Sequence, residues 1–169
     1  MHSGGPVADR SGSPDDERFM RSAIEMARSG IEAGQAPFGA CIVREGRIVA
    51  CAHNEVWRRT DITAHAEVVA LRTACRSLGT IDLSGCTIYA TAEPCPMCFT
   101  ACHWARMSRI VFAGRIADAA EAGFRELTIS NHDMKRLGGS EIEIVADVLR
   151  DEARELFRLF ADRPQRGVY

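Results

Sequence analysis

The sequence predicts an α/β domain built on a mixed sheet with helices on both faces, and three observations carry that reading. Segments with helical apolar spacing alternate with short β-rich runs along the chain. Two of those runs, GACIVR and RIVACAH, are separated only by Glu45-Gly46, which predicts an antiparallel hairpin with a tight two-residue turn. Farther on, a strand-like run, a helical stretch and a second strand-like run follow over short connections, the pattern of a parallel crossover.

In chain order, residues 1–14 are rich in Gly, Ser, Pro and Asp and lack the apolar run of a signal peptide. They are read as a flexible leader ahead of one domain over 15–169. Phe19, Ala23, Met26, Ala27 and Gly30 place a first helix over about 15–33, closed near Gly34. The hairpin follows. Residues 64–78 are apolar nearly all round, as in a helix covered on several sides, with Gly79 as the stop. Residues 86–91 read as the third strand, 94–106 as the third helix, 109–113 as the fourth strand and the string EIEIV as the fifth. Leu149, Ala153, Leu156, Phe157 and Phe160 form the stripe of a last helix, with Arg150, Arg154 and Arg158 on another side. Residues 125–140 match no pattern.

Composition narrows the partners. In a chain of 169 residues, 21 Lys and Arg against 23 Asp and Glu leave a net charge of −2, so nothing drives general nucleic-acid or membrane attraction. With no apolar run of membrane-spanning length, a cytoplasmic location is expected. The 7 cysteines, odd in number and unevenly spaced, argue for reduced thiols rather than a disulfide framework. Cys41, Cys51, Cys75, Cys86 and Cys102 lie in apolar strand or helix patterns and are expected as core packing.

The chemistry is held in two strings, Thr63-Ala64-His65-Ala66-Glu67 and Glu93-Pro94-Cys95-Pro96-Met97-Cys98. A Cys-x-x-Cys at a helix start puts both sulfurs on one face, and the helix N-terminus favours the thiolate. Adding His65 makes the three-ligand set of a catalytic zinc that keeps its fourth position for water. Glu67 is then expected at a helix start, converging on the same site as a proton-transferring carboxylate that does not bind the metal. A redox or incidental CxxC is the plainer alternative, but it leaves His65 and Glu67 unexplained.

With these strings the chain resembles the cytidine and deoxycytidylate deaminase superfamily over about residues 16–160. It is most similar to the bacterial guanine deaminase branch, through Pro37-Phe38-Gly39-Ala40, Asn54, Trp104-Ala105-Arg106 and the run Asp118-Ala119-Ala120-Glu121-Ala122-Gly123-Phe124. The resemblance implies a three-layer α/β/α sandwich around a five-stranded mixed sheet. It also implies one zinc per chain held by His65, Cys95 and Cys98, with Glu67 shuttling protons, and a homodimer that exchanges C-terminal segments.

For the substrate, the resemblance implies that Asn54 hydrogen-bonds a purine ring, that Asp118 accepts protons from its edge and acts with Glu67 in catalysis, and that Phe38, Ala64, Trp104 and Tyr169 help enclose it. Each has a plainer alternative: Asn54 as a turn cap, Asp118 as a helix N-cap, Trp104 as core and Tyr169 as a frayed end. The activity implied is hydrolytic deamination of guanine to xanthine and ammonia. Guanosine, ammeline, isocytosine and cytosine are alternative rings. A tRNA adenosine deaminase or a non-catalytic zinc scaffold is a more distant alternative.

Overall fold

A computed structural model describes residues 12–164 and 167–169. The leader reading falls mostly on residues 1–11, outside the described residues. The first helix, α1 (Pro14–Glu32), opens with a capping box: the Ser13 hydroxyl accepts from the Asp16 amide, and the Asp16 carboxylate accepts from the Ser13 amide. The hairpin strands are β1 (Gly39–Arg44) and β2 (Arg47–His53), as the sequence predicts. Glu45 and Gly46 both have positive φ, 51° and 72°, the geometry of a turn whose twist matches the hairpin. After them come α2 (Val56–Arg59), α3 (Ala66–Leu78), β3 (Cys86–Ala92), α4 (Pro96–Trp104), β4 (Arg109–Gly114), α5 (Ile116–Glu121), α6 (Asn131–Gly138), β5 (Glu143–Val145) and α7 (Arg150–Ala161).

The sheet has five strands in the order β2-β1-β3-β4-β5. β1 pairs antiparallel with both β2 and β3, whereas β3–β4 and β4–β5 are parallel, so the sheet is mixed. Side-chain alternation sorts its two faces. Ile42, Ile88, Ala90, Ile110 and Phe112 pack under α3 and α4, while Cys41, Val43, Tyr89, Val111 and Ala113 pack under α1 and α7. The result is a three-layer sandwich. No described helix is long and apolar enough to cross a membrane.

Two close fits fix α1 on the sheet. A Cβ at Gly39 would lie 2.1 Å from the Ala23 carbonyl oxygen and 2.7 Å from the Ala27 nitrogen, so only glycine lets β1 start directly under the helix. At the helix N-terminus, buried Asp16 receives Arg109 at 2.6 and 3.0 Å and the Tyr89 hydroxyl at 2.9 Å, which ties α1 to β4 and β3.

Two expectations are corrected. Cys41 and Cys51 are not separate core thiols: they stand directly opposite across β1 and β2, Cα atoms 4.1 Å apart, and form a disulfide. Cys75, Cys86 and Cys102 are free, the last two buried. The third helix begins at Pro96 instead of residue 94, because Cys95 takes the extended N-cap conformation (φ −62°, ψ 165°). α2, α5 and α6 were not anticipated as elements.

Candidate active site

Two helix N-termini converge on one point. His65 is the N-cap of α3 and Cys95 the N-cap of α4, both in extended backbone, and Cys98 lies one turn into α4 with Pro96 at its first position. Their ligand atoms form a nearly equilateral triangle: His65 Nδ1 is 3.6 Å from the Sγ atoms of Cys95 and Cys98, which are 3.6 Å apart. A tetrahedral zinc with bonds of about 2.0 Å to nitrogen and 2.3 Å to sulfur needs ligand separations of roughly 3.5–3.8 Å. The triangle fits that ion, and no fourth His, Cys or carboxylate joins the cluster among the described residues. This is an open, catalytic donor set rather than a closed structural one. The Cys98 thiol, aided by His65, holds the Cys95 thiol down to about 4, so the site already favours thiolate.

Glu67 lies in the first turn of α3, and its carboxyl is buried beside Cys98. Burial raises it above the ordinary carboxyl range. The extended N-cap at His65 is what allows two residues only two apart to face the same site, as the sequence reading requires.

A cavity of about 290 Å³ opens beside the triangle, walled by Ile62, Met97, Phe124, Glu126, Leu127 and Tyr169. Asn54, fully buried, contributes from the end of β2. Its Oδ1 accepts the Val56 amide at 3.1 Å, so its amino group points the other way, to the Tyr169 hydroxyl at 2.5 Å. Turn-capping and donation to Tyr169 therefore coexist in one side chain. Tyr169 packs on His65, Trp57 and Phe124 with ring centroids 5.9–6.0 Å away, and its carbonyl accepts the Arg125 amide. A Cβ on Gly167 would meet the Trp57 ring at 2.6 Å, so the approach of this tail also depends on glycine.

Other anticipated residues lie elsewhere. Asp118 sits in the first turn of α5, not at its N-cap, which is Arg115. Its carboxylate accepts the Arg115 amide at 2.7 Å and a two-pronged contact from Arg150 at 2.9 and 3.0 Å, with Arg154 close by. Burial opposes ionisation there, but these cationic partners hold the carboxyl below its usual range. Phe38 stacks edge-on against Phe124 and Phe157 behind the cavity wall. Ala64 is fully buried, its backbone paired with Asp61 and Glu55. Trp104 ends α4 on the far side of that helix, 80% exposed.

Sequence reasoning missed Glu126. It lines the cavity, its Oε2 is buried without a hydrogen-bond partner, and burial together with the Cys95 thiolate pushes its carboxyl up to about 8. The available signal was an acidic residue immediately after the Gly123-Phe124-Arg125 string, where attention had gone to Asp118.

Known proteins agree with this geometry. Residues 13–114 match the cytidine and deoxycytidylate deaminase zinc-binding region. The chain is 48% identical over 109 residues to a guanine deaminase of Bacillus subtilis, covering 64% of this chain and 70% of that protein. It is also 35% identical over 145 residues to a tRNA-specific adenosine deaminase of the same organism, covering 86% and 88%. Among solved structures, guanine deaminase from Nitrosomonas europaea superposes with a TM-score of 0.80 at 31% identity, covering 95% of each chain. With its three-ligand site and these relatives, the chain belongs to the cytidine and deoxycytidylate deaminase family and is a zinc-dependent deaminase.

Proposed function

We propose that residues 15–169 form a single domain that deaminates free guanine to xanthine and ammonia. The observation that carries this reading is the small cavity lined by His65, Cys95, Glu126 and Tyr169, with the raised Glu67 carboxyl buried beside the ligand triangle and Asn54 bonded to the Tyr169 hydroxyl. At about 290 Å³ it lies at the lower limit of ordinary ligand sites, roughly 300–1,000 Å³. A flipped tRNA nucleotide would also have to place its ribose and phosphates beside Tyr169.

A zinc ion on the triangle would supply a water acidified toward neutrality. The chain's residues do the rest. Glu67 accepts a proton at its carboxyl oxygen and returns it to a ring nitrogen. Glu126, which lines the cavity, holds a proton near neutral pH, gives it to the departing amine and takes up in its place the second proton of the added water, assisting Glu67 where the resemblance implied Asp118. The Asn54 amino group donates to a ring acceptor, and Tyr169 excludes bulk water from the cavity.

Ammonia release from guanine, guanosine, ammeline, isocytosine, cytosine and a tRNA anticodon stem-loop tests the substrate. Guanine is expected to be the best substrate and the stem-loop to yield no inosine; preferential inosine formation would establish the tRNA reading instead. Failure of every ring with zinc fully bound would restore the scaffold reading, although a scaffold has no use for the unligated Glu67. Glu126→Gln is expected to lower kcat on guanine by about 10²-fold with zinc content unchanged. Wild-type kcat in that variant would remove Glu126 from the reaction.

The same reading includes a cytoplasmic homodimer. Its support is an apolar groove on α3 and α4, lined by Leu71, Cys75 and Ala101 and flanked by Ile81 and Trp104, 83% and 80% exposed. Tyr169 is among the residues lining the cavity, so a C-terminal segment exchanged within such a dimer would bring the partner's tail to the same place. Light scattering is expected to give the mass of two chains for the parent and of one for Trp104→Glu. An unchanged mass in the variant would place the interface elsewhere.

A further inference from the structure

The sequence reading left Glu93 and residues 125–140 without a role, and the structure joins them. The Glu93 side chain is buried at the end of β3, and its Oε1 accepts the Asn131 amide at 2.8 Å while Oε2 faces the Ile116 amide at 3.5 Å. In return, the fully buried Asn131 side chain donates from Nδ2 to the Pro94 carbonyl at 2.6 Å. Two reciprocal bonds thus bind the Glu93-Pro94 dipeptide to the first residue of α6. Pro94 directly precedes Cys95, the N-cap of α4, whose carbonyl accepts the Phe99 amide at 2.9 Å while its own backbone is extended, so the residues before it set its approach to the site. On the other partner, Asn131 ends the irregular stretch that carries Glu126, five residues upstream.

We infer that Glu93 and Asn131 are positioning residues that set the Cys95 thiolate and the Glu126 loop in register around the metal. Neither lines the cavity, and their side chains are bonded to backbone groups instead. They act by fixing a ligand and a proton carrier on separate segments to one buried strut, the part outer hydrogen bonds play at metal sites. The inference rests on the zinc site and is independent of which ring is deaminated.

The test is the rate at which zinc leaves the loaded protein for a chromophoric chelator in excess. Asn131→Ala is expected to release zinc about 10- to 100-fold faster than the parent. Glu93→Gln keeps the size but can present only one acceptor to two backbone N–H groups, and is expected to speed release in the same direction. It serves as the reading if Asn131→Ala does not fold. Asp16→Asn, remote from the metal, is the control for general loosening and is expected to release zinc at the parental rate while melting at a lower temperature. Release within twofold of the parent in the strut variants, or equally fast release in the control, would overturn the assignment. Because the signal is zinc and not ammonia, the outcome stands apart from the substrate panel.

Discussion

Glu67→Gln is expected to lower turnover by roughly 10²- to 10⁴-fold while leaving zinc content unchanged. The amide matches the carboxyl in shape and volume, so the buried position beside Cys98 is kept and the three ligands are untouched. What is lost is a group that can take up a proton and give it back. Burial, the main cause of the raised carboxyl, makes Glu67 hold a proton more readily than an exposed carboxylate would. Steady-state ammonia release with zinc quantified on the same sample measures this. Retention of most of the turnover at full zinc would mean that the proton moves by another route.

The second large effect is on stability, at Asp16. Asp16→Ala is expected to cost about 3–5 kcal/mol in urea unfolding, because it leaves Arg109, only 24% exposed, with only the half-exposed Glu143 at 3.6 Å as its anion. It also removes the α1 cap and the acceptor of the Tyr89 hydroxyl. The pH dependence follows in sign. Burial alone would raise the Asp16 carboxyl, but the hydrogen bonds from Arg109, Ser13 and Tyr89 outweigh it and hold it far below the usual carboxylate range. A carboxyl lowered in the fold contributes stability that is fully present above its unfolded value, about 3.9, and is lost as pH falls below that toward the folded value. The parent is therefore expected to lose stability below about pH 5, and Asp16→Asn to show a shallower acid limb. Urea midpoints at pH 7 and about pH 3 for both proteins measure it; equal losses would show that other carboxylates set the acid limit.

The elements legible in the sequence were those with strong periodicity or strict turn chemistry. β1, β2 and their turn are set by Glu45-Gly46 and short β-rich runs, and the zinc ligands by two compact strings. α6 was hidden because NHDMKRLG offers only Met134 and Leu137 as apolar residues, although Ser130 as N-cap and Gly139 beyond its end do mark it. Asp118 and Glu126 show the limit at the site. Both are acidic residues near one string, and only tertiary packing decides that the first turns to Arg150 while the second enters the cavity. The Cys41–Cys51 pairing was implicit in the hairpin register, since the turn puts those positions opposite each other. Counting cysteines over the whole chain obscured it.

Holding Asn54 by its oxygen has a consequence for selectivity. With Oδ1 engaged by the Val56 amide, the side chain cannot invert to offer an acceptor, so the polarity of this contact is set before any ring arrives. With one amino hydrogen given to Tyr169, a ring bearing an acceptor at that edge takes the second, whereas an analogue with a C–H or N–H there leaves that buried N–H unpaired, at about 1–3 kcal/mol. On the proposed reading, that is roughly a 5- to 150-fold preference written into a turn in the backbone.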